Sequence, residues 1–339
     1  VLRSGTGNIT AIDTLRAGTN SLTVNTGGTV NLAGVISGAL SVTGSAITLN
    51  NDITTSGSQS YTGPVSLTAN LVFDSTAASS NGAVSFSSTV NSATSTARNL
   101  SVVAGSGNVT FTGAVGNLNP LGAIAVDSTG TTTFSSTVNA ASLATNTGGT
   151  TSLGGNVTTT GAQTYSDAVV LAANVTLDAS AITTSNTISA SSYNLTLISD
   201  ALALGAAVNG GVGTITIKPH TANTTIGLGD GAVGALHLSN TELGYINTAG
   251  NNFAAIVVGD SVNGTGAMSY KPGLTISFGS SLTLQQKSTG DGITISNSIT
   301  TSGSQTYTGA VQLSSDLTLT TSNGAVLFSS AVDNSSATP

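Results

Sequence analysis

No cysteine occurs in the 339 residues, which excludes both a disulfide framework and a thiolate metal site. Tryptophan is absent too. Only 6% of the chain is Asp, Glu, Lys or Arg, against roughly 25% in an ordinary globular domain. Six basic residues, Arg3, Arg16, Arg98, Lys218, Lys271 and Lys287, are scattered among thirteen acidic ones, for a formal net charge of -7. Phosphate backbones are held by clustered Lys and Arg, so nucleic acid is not an expected partner. No apolar run approaches the roughly 18 residues of a membrane-spanning helix, and insertion of this segment into a membrane is not expected. The opening residues contain no basic stretch followed by an apolar one, and both ends read as cut from a longer repeat.

What fills the chain is glycine, hydroxyl and amide. There are 42 Gly, while 38% of residues are hydrophobic, too many for a disordered polar tract. The chain should therefore fold, with Ser, Thr and Asn covering its surface. Freedom from cysteine also suits a polypeptide that crosses secretion machinery unfolded, so an extracellular location is expected.

Three segments align without gaps, beginning at Ile53, Val157 and Ile299. Gln59, Gln163 and Gln305 correspond, and so do Tyr61, Tyr165 and Tyr307. The apolar positions after the tyrosines are Val65, Leu67, Leu71 and Phe73 in the first copy and Val169, Leu171, Val175 and Leu177 in the second. In the third they are Val311, Leu313, Leu317 and Leu319. Pairs two apart share one face of a strand, and the polar residues between pairs read as turns. A shorter marker, an aromatic with Val four residues later, adds Phe86, Phe111, Phe134 and Phe328. Its successive spacings of 25, 25, 23 and 31 residues through the first half predict an all-β, right-handed parallel β-helix (β-solenoid) with coils of about 21 to 25 residues. The equivalent aromatics are then expected to stack at each ~4.8 Å step.

This spacing divides the chain into regular coils at 1–181, variant coils with longer loops at 182–295, and regular coils again at 296–339. In the variant part, strand-like stretches at Thr214 to Lys218, Ala254 to Val258 and Leu274 to Phe278 are interrupted by Pro219, Pro272 and the run Gly227 to Gly234. Ser239 with Glu242 fits a capping box, so a short helix is expected near 239–244.

The TTSGSQ-x-YTG-x-V segments, the run Gly107 to Val126 and the stretch Thr214 to Ile246 resemble the β-strand repeats of filamentous-haemagglutinin-type exoproteins and related autotransporter adhesins of Gram-negative bacteria. The resemblance implies a secreted, rod-forming cell-surface protein that attaches to host cells, other bacteria or matrix. Secretion domains of such proteins carry an NPNG-like sequence. Here Asn119 to Gly122 lacks the second Asn and reads as a turn within shaft material.

Candidate chemistry is sparse. Gly229 to Gly234 matches G-x-G-x-x-G, but no long helical pattern follows, and it reads as a turn. Polysaccharide-processing β-helices need paired ionisable groups, whereas Asp52, Asp167, Asp178, Asp316 and Asp333 fall singly at expected corners, where Asp caps turns. Stacking could still bring two of them together on adjacent coils, as a catalytic or calcium site. His220 and His237 lack the companion ligands of a zinc site. The three glutamines suit a stacked amide ladder more than sugar recognition, and the aromatics suit the core. Nine Asn-x-Ser/Thr sequons begin at Asn8, Asn99, Asn108, Asn156, Asn174, Asn194, Asn223, Asn263 and Asn334.

The expected function is non-catalytic: a shaft segment of a secreted adhesin or filament serving attachment, aggregation or biofilm formation. No cofactor or metal is expected. Expected partners are neighbouring coils, other copies in a filament, and host-cell, bacterial or matrix glycans. The alternatives are a purely architectural filament without a receptor, a polysaccharide-processing β-helix, and an ice-binding surface built on triplets such as Thr131 to Thr133 and Thr214 to Thr216.

Overall fold

The computed structural model describes residues 1–247, 252–273, 276–287 and 292–334. It is a parallel β-solenoid with about 16 coils in all. All its strands are short, and among the described residues the only helices are an α-helix at Asn240–Tyr245 and a 3-10 turn at Ala77–Ser79. The chain divides into two compact units, Val1–Ala172 and Ala173–Pro339.

In the first unit each coil has three sides. The coil carrying the first repeat copy shows them in order: Gln59–Thr62, Val65–Leu67 and Leu71–Asp74. The first side pairs in parallel with Leu40–Thr43 before it and Val84–Phe86 after it. The second stands between Ala46–Leu49 and Val90–Ser92, and the third between Ile53–Thr55 and Leu100–Gly105. Burial alternates along these strands, as in Leu22–Thr26, so one set of side chains faces the core and the other the solvent. Val24, Val30, Leu32, Val42, Ile47, Leu49, Leu67 and Phe73 have no accessible surface. Each such side chain contributes roughly 1.5–3 kcal/mol relative to exposure.

The aromatic column forms as the spacing predicts for four coils. Tyr61, Phe86, Phe111 and Phe134 stack face to face, with centroids 5.0, 5.0 and 4.9 Å apart. Val65, Val90, Val115 and Val138 stack beside them on the second side. Tyr165 does not join this column. Below Phe134 the register places Leu153 and then Leu171, while Tyr165 pairs with Thr145 on the third side.

The reason is coil length. Thr132 pairs with Thr151 and Thr151 with Val169, so two coils in succession are shorter than the marker spacing. The expected length holds for the coils that start at Gln59, Val84 and Val109, but not here, nor for those that start at Leu22 and Leu40. Within each repeat copy the inward residues that open successive segments are six apart, as in Ile53, Gln59, Val65 and Leu71. Three such six-residue sides make the shortest coil, and longer coils carry extra residues at corners. The second copy therefore falls one side short of the first: Gln59 is on the first side and Gln163 on the third.

In the second unit a ladder runs through Val175–Asp178, Leu195–Ile198, Thr214–Lys218, Ala255–Asp260, Ser281–Gln286, Gln305–Thr308 and Val326–Phe328. Its early steps are short and even, from Val175 to Leu195 and from Leu195 to Ile215, but Ile215 next pairs with Ile256, a far longer step along the chain. That long excursion contains the parallel pair Ile226–Leu228 and Leu236–Leu238 and the helix. Tyr307 and Phe328 stack at 4.9 Å, and Val311 pairs with Val332. Val311 is buried, whereas Leu313 and Phe328 are half-buried. Leu274 and Thr275 lie outside the described residues, as do 335–339, and the described strand there starts at Ile276.

Candidate functional site: a polar cleft at a coil corner

Proximity across coils gathers what the sequence scatters. Asp178 ends its strand and pairs with Ile198, which pairs with Lys218, so the three form one outward column in the second unit. Pro219 turns the chain after Lys218, and His220 Nδ1 meets Asp178 Oδ1 at 2.6 Å. Lys218 Nζ meets Asp260 Oδ2 at 3.1 Å. Asp200, one corner further, accepts from the Thr221 amide and from the Thr221 and Thr224 hydroxyls. Between these groups lies a cavity of about 330 Å3 lined by Ile198, Lys218, Pro219, His220, Ala222, Asp260, Asn263 and Gly264.

Protonation in the cleft is set by competing forces. Burial pushes the Asp260 carboxyl up, but the amides of Asn263 and Val262 and the Lys218 ammonium outweigh it and hold the group below the usual carboxylate range. Burial acts on Asp200 in the same way and is outweighed by Thr221, Thr224 and the nearby His220. Both carboxylates are therefore charged at neutral pH. Behind the cleft, Gln286 has no accessible surface. Its amide nitrogen donates to the Gly266 carbonyl, while its Oε1 has no partner among the described residues. That oxygen stands where a Cβ on Gly264 would be.

The other candidates have structural roles. Gln59, Gln163 and Gln305 are buried and form no stack of amides with one another. Each instead donates to the carbonyl six residues back (Ile53, Val157 or Ile299) and accepts from the hydroxyl of the tyrosine two residues on, at 2.9, 3.0 and 2.8 Å. A ladder would need a glutamine in every coil, and the repeat supplies one only where its motif recurs. Buried in this way, the three amides are closed to sugars.

Stacked corner amides do exist, but asparagine supplies them. Asn70 Oδ1 accepts from the Asn99 amide and Asn99 Oδ1 from that of Ala123. Asn174, Asn194 and Thr214 repeat the pattern in the second unit. Asn8 and Asn108 serve Thr29 and Thr131 in the same way. At Asn8, Asn108, Asn156, Asn174 and Asn194 the sequon arises because Asn precedes a strand whose outward position carries a β-branched Thr. For the sequon at Asn334, Ser336 lies outside the described residues.

Asp52 Oδ1 accepts from the Val72 amide, and buried Asp167 accepts from Gly149 and Thr151. Asp316 sits at an exposed corner. Asp333 does not: it lies in the strand Val332–Asn334, paired with Gln312, because the marker valine Val332 opens a strand that continues through it. The loop Gly229 to Gly234 joins two parallel strands, and Pro272 packs where a Cβ on Gly229 would stand. In the helix that follows, the Asn240 amide donates to Asp230 and the Glu242 amide to the Ser239 hydroxyl, and the Glu242 carboxylate caps Ser239 reciprocally. Glu242 also accepts from the Leu204 amide, so the one glutamate of the chain has a structural role. His237 bonds the Gly229 carbonyl.

Sequence reasoning missed the pairings of Lys218 and His220. The signal was present, since Asp178, Ile198 and Lys218 are evenly spaced, but it is legible only once the local coil length is known. A larger depression of about 500 Å3, beside Leu313, Asp316 and Val332, carries no basic group. Among the described residues no three His, Cys, Asp or Glu converge as metal ligands, and no helix is long and apolar enough to cross a membrane.

The fold and the cleft together define a parallel β-solenoid with ionised groups concentrated at one corner of its second unit. No protein-family profile, curated protein or solved structure matches the chain.

Proposed function

We propose that the chain is a shaft segment of a large secreted surface adhesin or filament of a Gram-negative bacterium, serving attachment without catalysis. One observation carries this reading. On the outward row of the first side, Thr23, Ser41, Ser60, Ser85, Thr110, Thr133 and Ser152 follow one another in register across seven coils. A continuous neutral hydroxyl face over a continuous apolar core suits a hydrated spacer. Among the described residues, the ionisable pairs that turnover of a polysaccharide requires lie at one corner, where Asp200 is saturated with hydrogen bonds. Beads coated with the purified chain should bind cells or glycans. Inert beads would favour an architectural filament, and thermal hysteresis would favour an ice-binding face on the same hydroxyl row.

A further inference from the structure

We infer that the cleft between Lys218, His220 and Asp260 binds a neutral saccharide, an assignment that rests on the adhesive reading above and gives it a site. Its carboxylates do not call for a cation: Asp178 faces His220, Asp260 faces Lys218, and Asp200 is filled by Thr221 and Thr224. Nor does the cleft favour an anion, because three carboxylates surround one lysine and one histidine. What remains is a small polar space offering donors and acceptors together. Lys218 retains N–H bonds beyond the one used on Asp260, and Asn263, whose backbone amide is taken by Asp260, lines the cleft.

Sugar hydroxyls both donate and accept, which matches an ammonium and a carboxylate side by side. Ile198, Pro219 and Ala222 supply the apolar wall that the C–H face of a pyranose requires. At about 330 Å3 the cavity falls at the small end of the roughly 300–1,000 Å3 range of ligand pockets.

The test is titration of the full 15N-labelled chain with methyl glycosides of neutral hexoses and of hexuronates. Saturable shifts of the Asn263 and Gly264 amides with a neutral glycoside are expected, weakened at least tenfold in Lys218→Met and severalfold in Asn263→Ala. No shift there with any neutral glycoside, unchanged affinity in both variants, or binding of hexuronates alone overturns the assignment. Because the wild-type titration stands alone, it remains decisive should either variant misfold. Bead adhesion that survives Lys218→Met overturns the cleft as the adhesive site and leaves the adhesive reading standing. Sugar binding without any adhesion does the reverse.

Discussion

The Tyr165 hydroxyl donates to the side-chain oxygen of Gln163 at 3.0 Å, two residues back on the same strand, with both side chains fully buried. Gln163 in turn donates to the Val157 carbonyl at 3.0 Å. Removing the amide strands both partners, and an unsatisfied buried polar group costs about 1–3 kcal/mol. Gln163→Leu should therefore lower stability by about 2–4 kcal/mol. Combining it with Tyr165→Phe should cost less than the two single changes summed, since the second removes a hydroxyl already orphaned. Denaturant melts of the four proteins measure the difference, and strict additivity would show that the pair is not coupled.

Asp167 shows the opposite sign of pH dependence from the cleft carboxylates. Burial raises its proton affinity more than the Gly149 amide and Thr151 hydroxyl lower it. The native state then holds the proton to higher pH than the unfolded chain, so its contribution to stability falls as pH rises through that window and stays reduced at neutrality. Asp167→Asn should raise the melting temperature at pH 7 and leave it nearly unchanged near pH 3. A lower melting temperature at pH 7 would show that the charged form is favoured.

Asp200 and Asp260 are held below the usual carboxylate range, so their stabilisation is present above the unfolded value and is lost as pH falls through the native one. Asp260→Asn should flatten the acid limb of a plot of melting temperature against pH. A variant whose acid limb matches that of the wild type would assign the limb to other groups.

Leu171 is 2% exposed and continues the inward column below Leu153. Leu171→Asp places an unpaired carboxylate between coils at a cost of several kcal/mol and should prevent folding of the first unit. Circular dichroism and a thermal melt identical to wild type would overturn the inward assignment.

The Asp178–His220 pair is partly exposed at both ends, 29% and 39% by side chain. His220→Ala should cost no more than about 1 kcal/mol, as exposed ion pairs do. A larger loss in a melt would mean that the ring also holds the Pro219 turn in place.

How much of this the sequence showed depended on period. The evenly spaced aromatics exposed the stacked Tyr61, Phe86, Phe111 and Phe134 and their valines, because in those coils the motif returns once per turn. Ser239 and Glu242 marked the helix by a local rule that needs no coil length. Tyr165 was misplaced because two short coils pass between Phe134 and Leu171, and a motif-to-motif distance cannot reveal a side skipped between. The cleft was illegible for the same reason: Lys218 and Asp260 meet across the long step that carries Ile215 to Ile256.

That slip of the motif from one side to the next defines the interchangeable part of this architecture. Gln59 and Gln163 occupy different sides yet keep the same hydrogen bonds to their own tyrosine and to the carbonyl six residues back, so the module is indifferent to phase. The unit of growth is then a third of a turn, and a duplication or deletion of six residues re-threads every later segment onto the adjacent side without exposing its apolar edge. Such a chain can lengthen or shorten in small steps, and charged side chains far apart in sequence come into line or fall out of line as it does.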